Sequence, residues 1–438
     1  MSVLSLMVVS QLAATPITLE EVREASRQSL DAIRARLDVQ RAESQVKTAR
    51  SAILPQVSMN FGIGLSFIGP QRQLISYKDP DSGNFVQQFQ DTNNSLVRGN
   101  FQLGLQVNQL LYDGARWWTQ MARSGDQEEA ARGQLAEQQL SSELEATRRF
   151  FELLKAQLAL KVLEESVKRS AEQVARAKAL YEAGRGQRSA VYDASTNLGN
   201  DEIGVVRQRQ RIVQTRLALL QWLGREDADV EAVPPGDLAE VRAPYEPGHA
   251  VAQARSLRPL FKSLGAQVRA AELGITVARA DYFPRIVASA SYSRNSPTAD
   301  PFFTDPTRQN NLSAGVNLSW DLFNGFAHVA NEDRARIELT QAQAQQRQSV
   351  LDLESEIRRA VDAHKTEVEV LAISERNLAQ AQEQASLETE RFSAGAGSSL
   401  EVRNAQIKYT QAQLSVLQGR ADVATAKAAL ERAVGGSP

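Results

Sequence analysis

From Tyr112 to Gly224 the chain repeats itself, without a gap, 211 residues further on. Tyr112-Asp113-Gly114 falls on Phe323-Asn324-Gly325, Leu140 on Leu351, Glu145 on Glu356, Arg148 on Arg359, Leu160 on Leu371 and Glu172 on Glu383. Tyr181-Glu182-Ala183-Gly184-Arg185-Gly186 meets Phe392-Ser393-Ala394-Gly395-Ala396-Gly397, Val191 meets Val402, and Gly224 meets Gly435. Such a register requires both copies to build elements of the same length. Upstream, Leu54-Pro55 corresponds to Phe283-Pro284; from there to the glycine of the turn the first copy runs 59 residues and the second 41, so the extra length belongs to a loop. The copies occupy 15–224 and 248–438. Between them, 225–247 holds Pro234, Pro235, Gly236, Pro244 and Pro247 without periodicity and is expected to be an irregular connector.

Each copy reads as helix, strand, loop, strand, very long helix, tight turn, helix. Helical composition over 18–52 and 249–281 stops at Pro55 and Pro284, which cannot continue a helix. Strands are expected at about 56–67, 99–110, 285–294 and 311–320. Val57, Met59, Phe61, Ile63, Leu65 and Phe67 alternate with Gln56, Ser58, Asn60, Gly62, Gly64 and Ser66, and the other three strands alternate in the same way. A half-buried sheet in a soluble domain fits that alternation by itself. Three details favour a bilayer instead. The strands are long enough to cross one when tilted, and the connections 69–98 and 295–310 are long and polar. The third is that the aromatic residues Tyr112, Trp117, Trp118, Trp320, Phe323 and Phe326 gather where strand meets helix, as a membrane-interface belt does. Four strands cannot close a barrel, and small transmembrane barrels begin at about eight strands, so a dimer is the minimum and a trimer supplies twelve. Long helices are expected over 115–183 and 326–394, each close to 100 Å at about 1.5 Å per residue. The returning helices 188–222 and 398–434 are half as long; shorter helices before the strands can stack on them to match one long helix.

Composition removes several function classes. The chain has 438 residues, 50 Lys+Arg against 52 Asp+Glu, and no cysteine, which excludes disulfides, thiolate metal sites, cysteine nucleophiles and a lipidated cysteine. The balanced charge points to no nucleic acid. Three isolated histidines and the absence of a phosphate-cradling GxxxxGK[ST] loop leave no metal, cofactor or catalytic site to expect, and no means of powering transport. No apolar run is long enough for a membrane-spanning helix. Val3–Ala14 reads either as the apolar core of a signal peptide, residues 1–14, or as the start of the helix capped at Thr18.

The repeated Leu-Pro and Phe-Pro, YDG and FNG, and the Tyr-Glu-Ala-Gly and Phe-Ser-Ala-Gly turns, followed by Ala190-Val191-Tyr192-Asp193-Ala194 and Leu400-Glu401-Val402-Arg403-Asn404-Ala405, resemble the outer-membrane efflux protein family of TolC-like channels. The resemblance covers nearly the whole chain. It implies a mostly α fold with a β-barrel portion, four strands per chain, long coiled-coil helices and two tandem repeats. It also implies a homotrimer in the outer membrane of a Gram-negative bacterium with a large periplasmic part. Such a protein is a passive exit duct of tripartite efflux or type I secretion, for small molecules or secreted polypeptide. Its partners are a periplasmic adaptor, an inner-membrane pump of the RND, ABC or a similar class, and outer-membrane lipid. The turns Gly184-Arg185-Gly186 and Gly395-Ala396-Gly397 become tips that dock the adaptor. Tyr181, Asp193, Phe392, Glu401 and Asn404 become candidates for the gated entrance, Glu401 and Asn404 standing where similar channels carry rings of aspartate, and Gly397 where an arginine link is expected. A ring of three Glu401 favours cations; the plain alternative is a solvated helix face. Two rival readings are a soluble coiled-coil scaffold, which leaves the four strands unexplained, and a periplasmic adaptor, which has one helical hairpin rather than two full copies.

Overall fold

The computed structural model describes residues 15–80, 83–92, 96–225, 229–236, 247–304, 307 and 310–436; residues 1–14, read either as a signal segment or as the start of the first helix, lie outside them. In chain order the elements are β1 (Thr15–Ile17), α1 (Leu19–Ser26), α2 (Leu30–Ser51), β2 (Gln56–Ile68), β3 (Gln71–Lys78), β4 (Phe85–Thr92), β5 (Leu96–Tyr112), α3 (Arg116–Glu182) and α4 (Arg188–Leu223). There follow β6 (Val230–Ala232), α5 (Pro247–Leu257), α6 (Pro259–Arg279), β7 (Arg285–Ser296), α7 (Ala299–Thr304), β8 (Asn310–Ser319), α8 (Ala327–Ser393) and α9 (Ser399–Val434). The contacts gather into two compact units that cut across the repeats. One is helical and takes residues up to Ala42, Gln127–Val268 and the chain from Ala342; the other holds the long strands and takes Glu43–Asp126 and Arg269–Gln341.

In the helical unit the repeat reappears as matched cores. Ala146, Phe150, Leu219 and Leu223 are buried against α1 and β6, while their counterparts 211 residues on, Ile357, Val361, Leu430 and Val434, are buried against α5. The volumes compensate locally: Phe150 in one core answers Val361 in the other, and Ala146 answers Ile357. Close packing is therefore kept in both copies with different side chains.

Sequence and structure part in several places. The helix expected over 18–52 breaks at Arg27–Ser29, where the Ser29 hydroxyl caps Ala32 N–H at 3.4 Å. The helix expected over 249–281 breaks before Pro259, whose ring starts α6 and cannot donate to the turn before. The connector is not wholly irregular, because β6 pairs in parallel with β1, Val230 opposite Thr15; three-residue strands that meet across more than 200 residues leave no local period to read. The loop 69–98 carries the β3–β4 hairpin, with Arg72 opposite Asp91 and Leu74 opposite Phe89. Both faces of that hairpin are exposed, so neither face had to be apolar and no alternation betrays it.

In the strand unit, β2, β5, β7 and β8 form one antiparallel sheet in that order, leaving β2 and β8 as its edges. The strand-to-helix turns place two consecutive residues in the left-handed region, Gly114 (φ 69°) with Ala115 (67°), and Gly325 (66°) with Phe326 (69°). Each long helix consequently begins one residue later than expected. A Cβ on Gly114 would meet the Ala280 carbonyl and Phe283 Cβ at 2.9 Å, whereas Gly325 has open space around it. Gly114→Ala is expected to cost about 2–3 kcal/mol through strain plus collision, and Gly325→Ala about 1 kcal/mol through strain alone. Thermal unfolding of the two purified variants checks the order; equal losses would remove the collision.

Candidate functional site

The helix-hairpin tips are built by the same local chemistry twice. After α3, Gly184 takes φ 68°, its N–H donates to Tyr181 C=O at 2.9 Å, and Arg185 N–H donates to Leu180 C=O at 2.8 Å. After α8, Gly395 takes φ 77°, its N–H donates to Phe392 C=O at 3.1 Å, and Ala396 N–H donates to Arg391 C=O at 2.8 Å. These are glycine-closed helix ends that satisfy the last carbonyls. Gly186 and Gly397 pass so close to the preceding turn that an added Cβ would lie 3.1 and 3.2 Å from backbone atoms.

The copies differ at the next residue. Gln187 provides α4 with no side-chain cap, whereas Ser398 and Glu401 form a full capping box on α9. Glu401 Oε2 accepts from Ser398 N–H at 2.8 Å and from its hydroxyl at 3.1 Å. Those two hydrogen bonds, the backbone one first, hold the Glu401 carboxyl below its ordinary range. Its charge is turned onto its own helix end. The other sequence candidates lie near the tips without meeting. Tyr181, Asp193 and Asn404 are exposed and Phe392 half-buried, and among the described residues no hydrogen bond or ion pair joins any of the five to another.

What the structure does bring together is a cluster that periodicity could not single out. Arg403 on α9 donates to both oxygens of Asp201 on α4, each at 2.8 Å, and to the Ser170 hydroxyl on α3 at 3.1 Å; the Ser170 hydroxyl also donates to Asp201. Side-chain exposure falls to 17% for Arg403 and 15% for Asp201, so the pair is largely shielded from water. Burial pushes the Asp201 carboxyl up, but hydrogen bonds from Arg403 and Ser170 outweigh it and the group stays below the ordinary carboxylate range. Alongside, Arg169 donates to Thr410 at 3.0 Å and lies over the Tyr409 ring at 5.6 Å. The α3–α4 hairpin of one repeat is thereby fastened to α9 of the other. In sequence Asp201 and Arg403 look like members of solvated helix faces; only their partners distinguish them.

A second cluster also joins the repeats. Arg258, 2% exposed at the α5–α6 break, donates to Glu137 on α3 at 2.7 Å, to Glu356 on α8 at 3.0 Å and to the Ala433 carbonyl at 3.3 Å. Arg432 on α9 reaches both carboxylates, Glu137 at 3.0 Å.

In the strand unit the sheet has two chemically distinct faces. Val57, Met59, Ile63, Leu65, Leu312 and Val316 stand uncovered on one, with Leu65 80% and Leu312 77% exposed. An apolar surface of that extent marks contact with membrane or protein. The opposite face carries Ser58, Asn60, Gln102, Gln106, Ser291 and Ser313, the last two hydrogen-bonded at 2.8 Å. At the helix-proximal end Trp117 and Trp118 pack with ring centroids 3.8 Å apart. There Trp320 donates to the Tyr282 carbonyl at 3.1 Å, and Phe323 meets Phe326 edge-on at 5.6 Å beside a cavity of about 220 Å³. Tyr112, before the turn, is 41% exposed.

Comparison with known proteins agrees with this architecture. The family model described as outer membrane efflux protein matches residues 22–225 and 250–436, one stretch in each repeat. The outer membrane efflux protein BepC of Brucella suis biovar 1 (strain 1330) is 23% identical over 337 residues, 76% of this chain and 72% of that protein. The pyoverdine export outer membrane protein OpmQ of Pseudomonas aeruginosa is 29% identical over 181 residues, 41% of this chain and 37% of its own length. Among solved structures, CusC matches with a TM-score of 0.77 at 18% identity, over 96% of this chain and 92% of that one. The Campylobacter jejuni CmeC outer membrane channel matches with a TM-score of 0.77 at 16% identity, over 95% and 85%.

Proposed function

This chain belongs to the outer membrane efflux protein family, and from that premise we propose that it is the passive exit duct of a tripartite export system, its strands in the outer membrane of a Gram-negative bacterium and its long helices in the periplasm. The observation that carries the reading is the four-stranded sheet: one apolar face uncovered except where Phe302 of α7 packs on Phe61 and Phe101, one polar face, and free edges at β2 and β8. In lipid those edges leave backbone groups unsatisfied at several kcal/mol each, so identical subunits must supply the missing neighbours. A homotrimer closes twelve strands, and the same three-fold arrangement brings the 67-residue helices α3 and α8 around a common tunnel. The tips 184–186 and 395–397 then dock an adaptor, and an inner-membrane pump supplies energy and chooses among small molecules or secreted polypeptides.

The entrance is held closed by Arg403, Asp201 and Ser170, because separating α9 from the α3–α4 hairpin must break that cluster. Tyr181, Asp193, Phe392 and Asn404 line the approach to it, and Glu401 keeps the first turn of α9 wound. Detergent-purified protein tests the duct by its mass and by single-channel recording in planar bilayers. A trimer with discrete conductance steps is expected. A water-soluble monomer without conductance would remove the proposal.

A further inference from the structure

Not one of the chain's 52 Asp and Glu residues falls within β2, β5, β7 or β8. On the apolar face that is required, since either sign of charge is costly against lipid. The polar face carries no such restriction, so what it holds is informative. Following the register, Arg98 pairs with Ser66 and Arg285 with Ser319, which places both arginines on the polar face, at opposite ends of the wall. Neither guanidinium has a partner among the described residues. Between them the face carries hydroxyls and amides such as Asn60, Gln102, Ser291 and Asn317. The third strand arginine, Arg294, shares the apolar face with Tyr292 and lies 5.3 Å from the Phe302 ring.

We infer that the strand wall is an anion-preferring conduit, positive at both mouths and uncharged between, suited to anionic and neutral cargo and unfavourable to cations. This rests on the duct reading above, in which the polar face lines the lumen. In a closed ring of three copies each mouth holds three guanidiniums, and a one-signed ring bounded by low-dielectric walls concentrates counter-ions. The Glu401 carboxylate keeps its charge while it accepts from Ser398, so a ring of it would act on ions at the tips, separately from the strand wall. Two carboxylates flank the helix-proximal mouth: Asp321, two residues beyond β8, lines the aromatic cavity, and Asp113, one residue beyond β5, accepts from Trp117 N–H at 3.1 Å.

The test is the chloride-to-potassium permeability ratio of the full-length protein in planar bilayers under a potassium chloride gradient, compared with Arg98→Ser, Arg285→Ser and the double variant. The change on substitution isolates the wall from the helices. At low ionic strength the ratio is expected to fall about threefold in the double variant, about half as far in each single one, and to converge with wild type near 1 M salt, where the screening length is about 3 Å. The variant with lysine at both positions is expected to keep the wild-type ratio. A ratio unmoved by the serine substitutions overturns the inference while leaving the duct intact. Absence of any conductance in wild-type protein overturns the duct, and this inference with it. Should the double variant fail to insert, the single variants decide.

Discussion

Replacing Arg403 by alanine is expected to raise the open probability of the reconstituted channel about tenfold, the equivalent of about 1.4 kcal/mol withdrawn from the closed state. The substitution takes away two charge-assisted hydrogen bonds and leaves Asp201 largely shielded, with Ser166 and Ser170 as its remaining donors among the described residues. Breaking a fully buried pair costs about 3–5 kcal/mol; partial exposure of this one places the effect lower. Asp201→Asn is expected to act in the same direction, and Arg403→Ala combined with Asp201→Ala to fall short of the sum of the single effects, because the second change relieves an unpaired charge. The pH dependence has a definite sign. Asp201 has a depressed carboxyl in the folded protein, so its stabilisation is complete above the ordinary carboxylate range and disappears as pH falls through the folded value. The closed state is therefore expected to hold from neutral pH to about 5 and to open only in stronger acid, below about 4. Single-channel recording across that range decides: if Arg403→Ala leaves open probability unchanged, the cluster is scaffolding and the gate lies elsewhere.

The largest loss of stability is expected from Arg258→Ala, about 3–5 kcal/mol in the helical unit. Glu137 and Glu356 would be left to share Arg432, two carboxylates crowding one guanidinium in a shielded site. The Arg258 fork currently serves Glu137, Glu356 and the Ala433 carbonyl, and those contacts outweigh the burial that works against its charge. Arg258→Lys is expected to recover only part of the loss, since an ammonium cannot reproduce that geometry. Glu137→Gln introduced into Arg258→Ala is expected to restore stability by relieving the surplus negative charge. Thermal unfolding followed by circular dichroism in detergent measures all three. Unchanged melting of Arg258→Ala would show that the cluster holds no more than exposed ion pairs do.

Much of the architecture was legible because it is periodic. The 211-residue register announced two copies with equal elements, and the structure returns it as matched cores, Phe150 against Val361 and Ala146 against Ile357. Alternation marked both faces of all four long strands, and glycine marked both tips. Some local signals were present but went unread. Pro259 announces the break before α6, and Ser398-x-x-Glu401 spells a capping box on α9. Three-residue β6 and the two-sided β3–β4 hairpin left no periodic trace.

Order along the chain is therefore decided locally. Helix, strand, turn and the identity of each apolar face follow from side-chain spacing and from backbone preferences that act within a few residues. Which charges meet is decided by tertiary packing alone. Asp201 and Arg403 stand 202 residues apart and Glu137 and Arg432 stand 295 apart, each at a spacing shared with dozens of charges that face water. An ion pair gains its strength from shielding and geometry, and both exist only once α3, α4, α8 and α9 have packed.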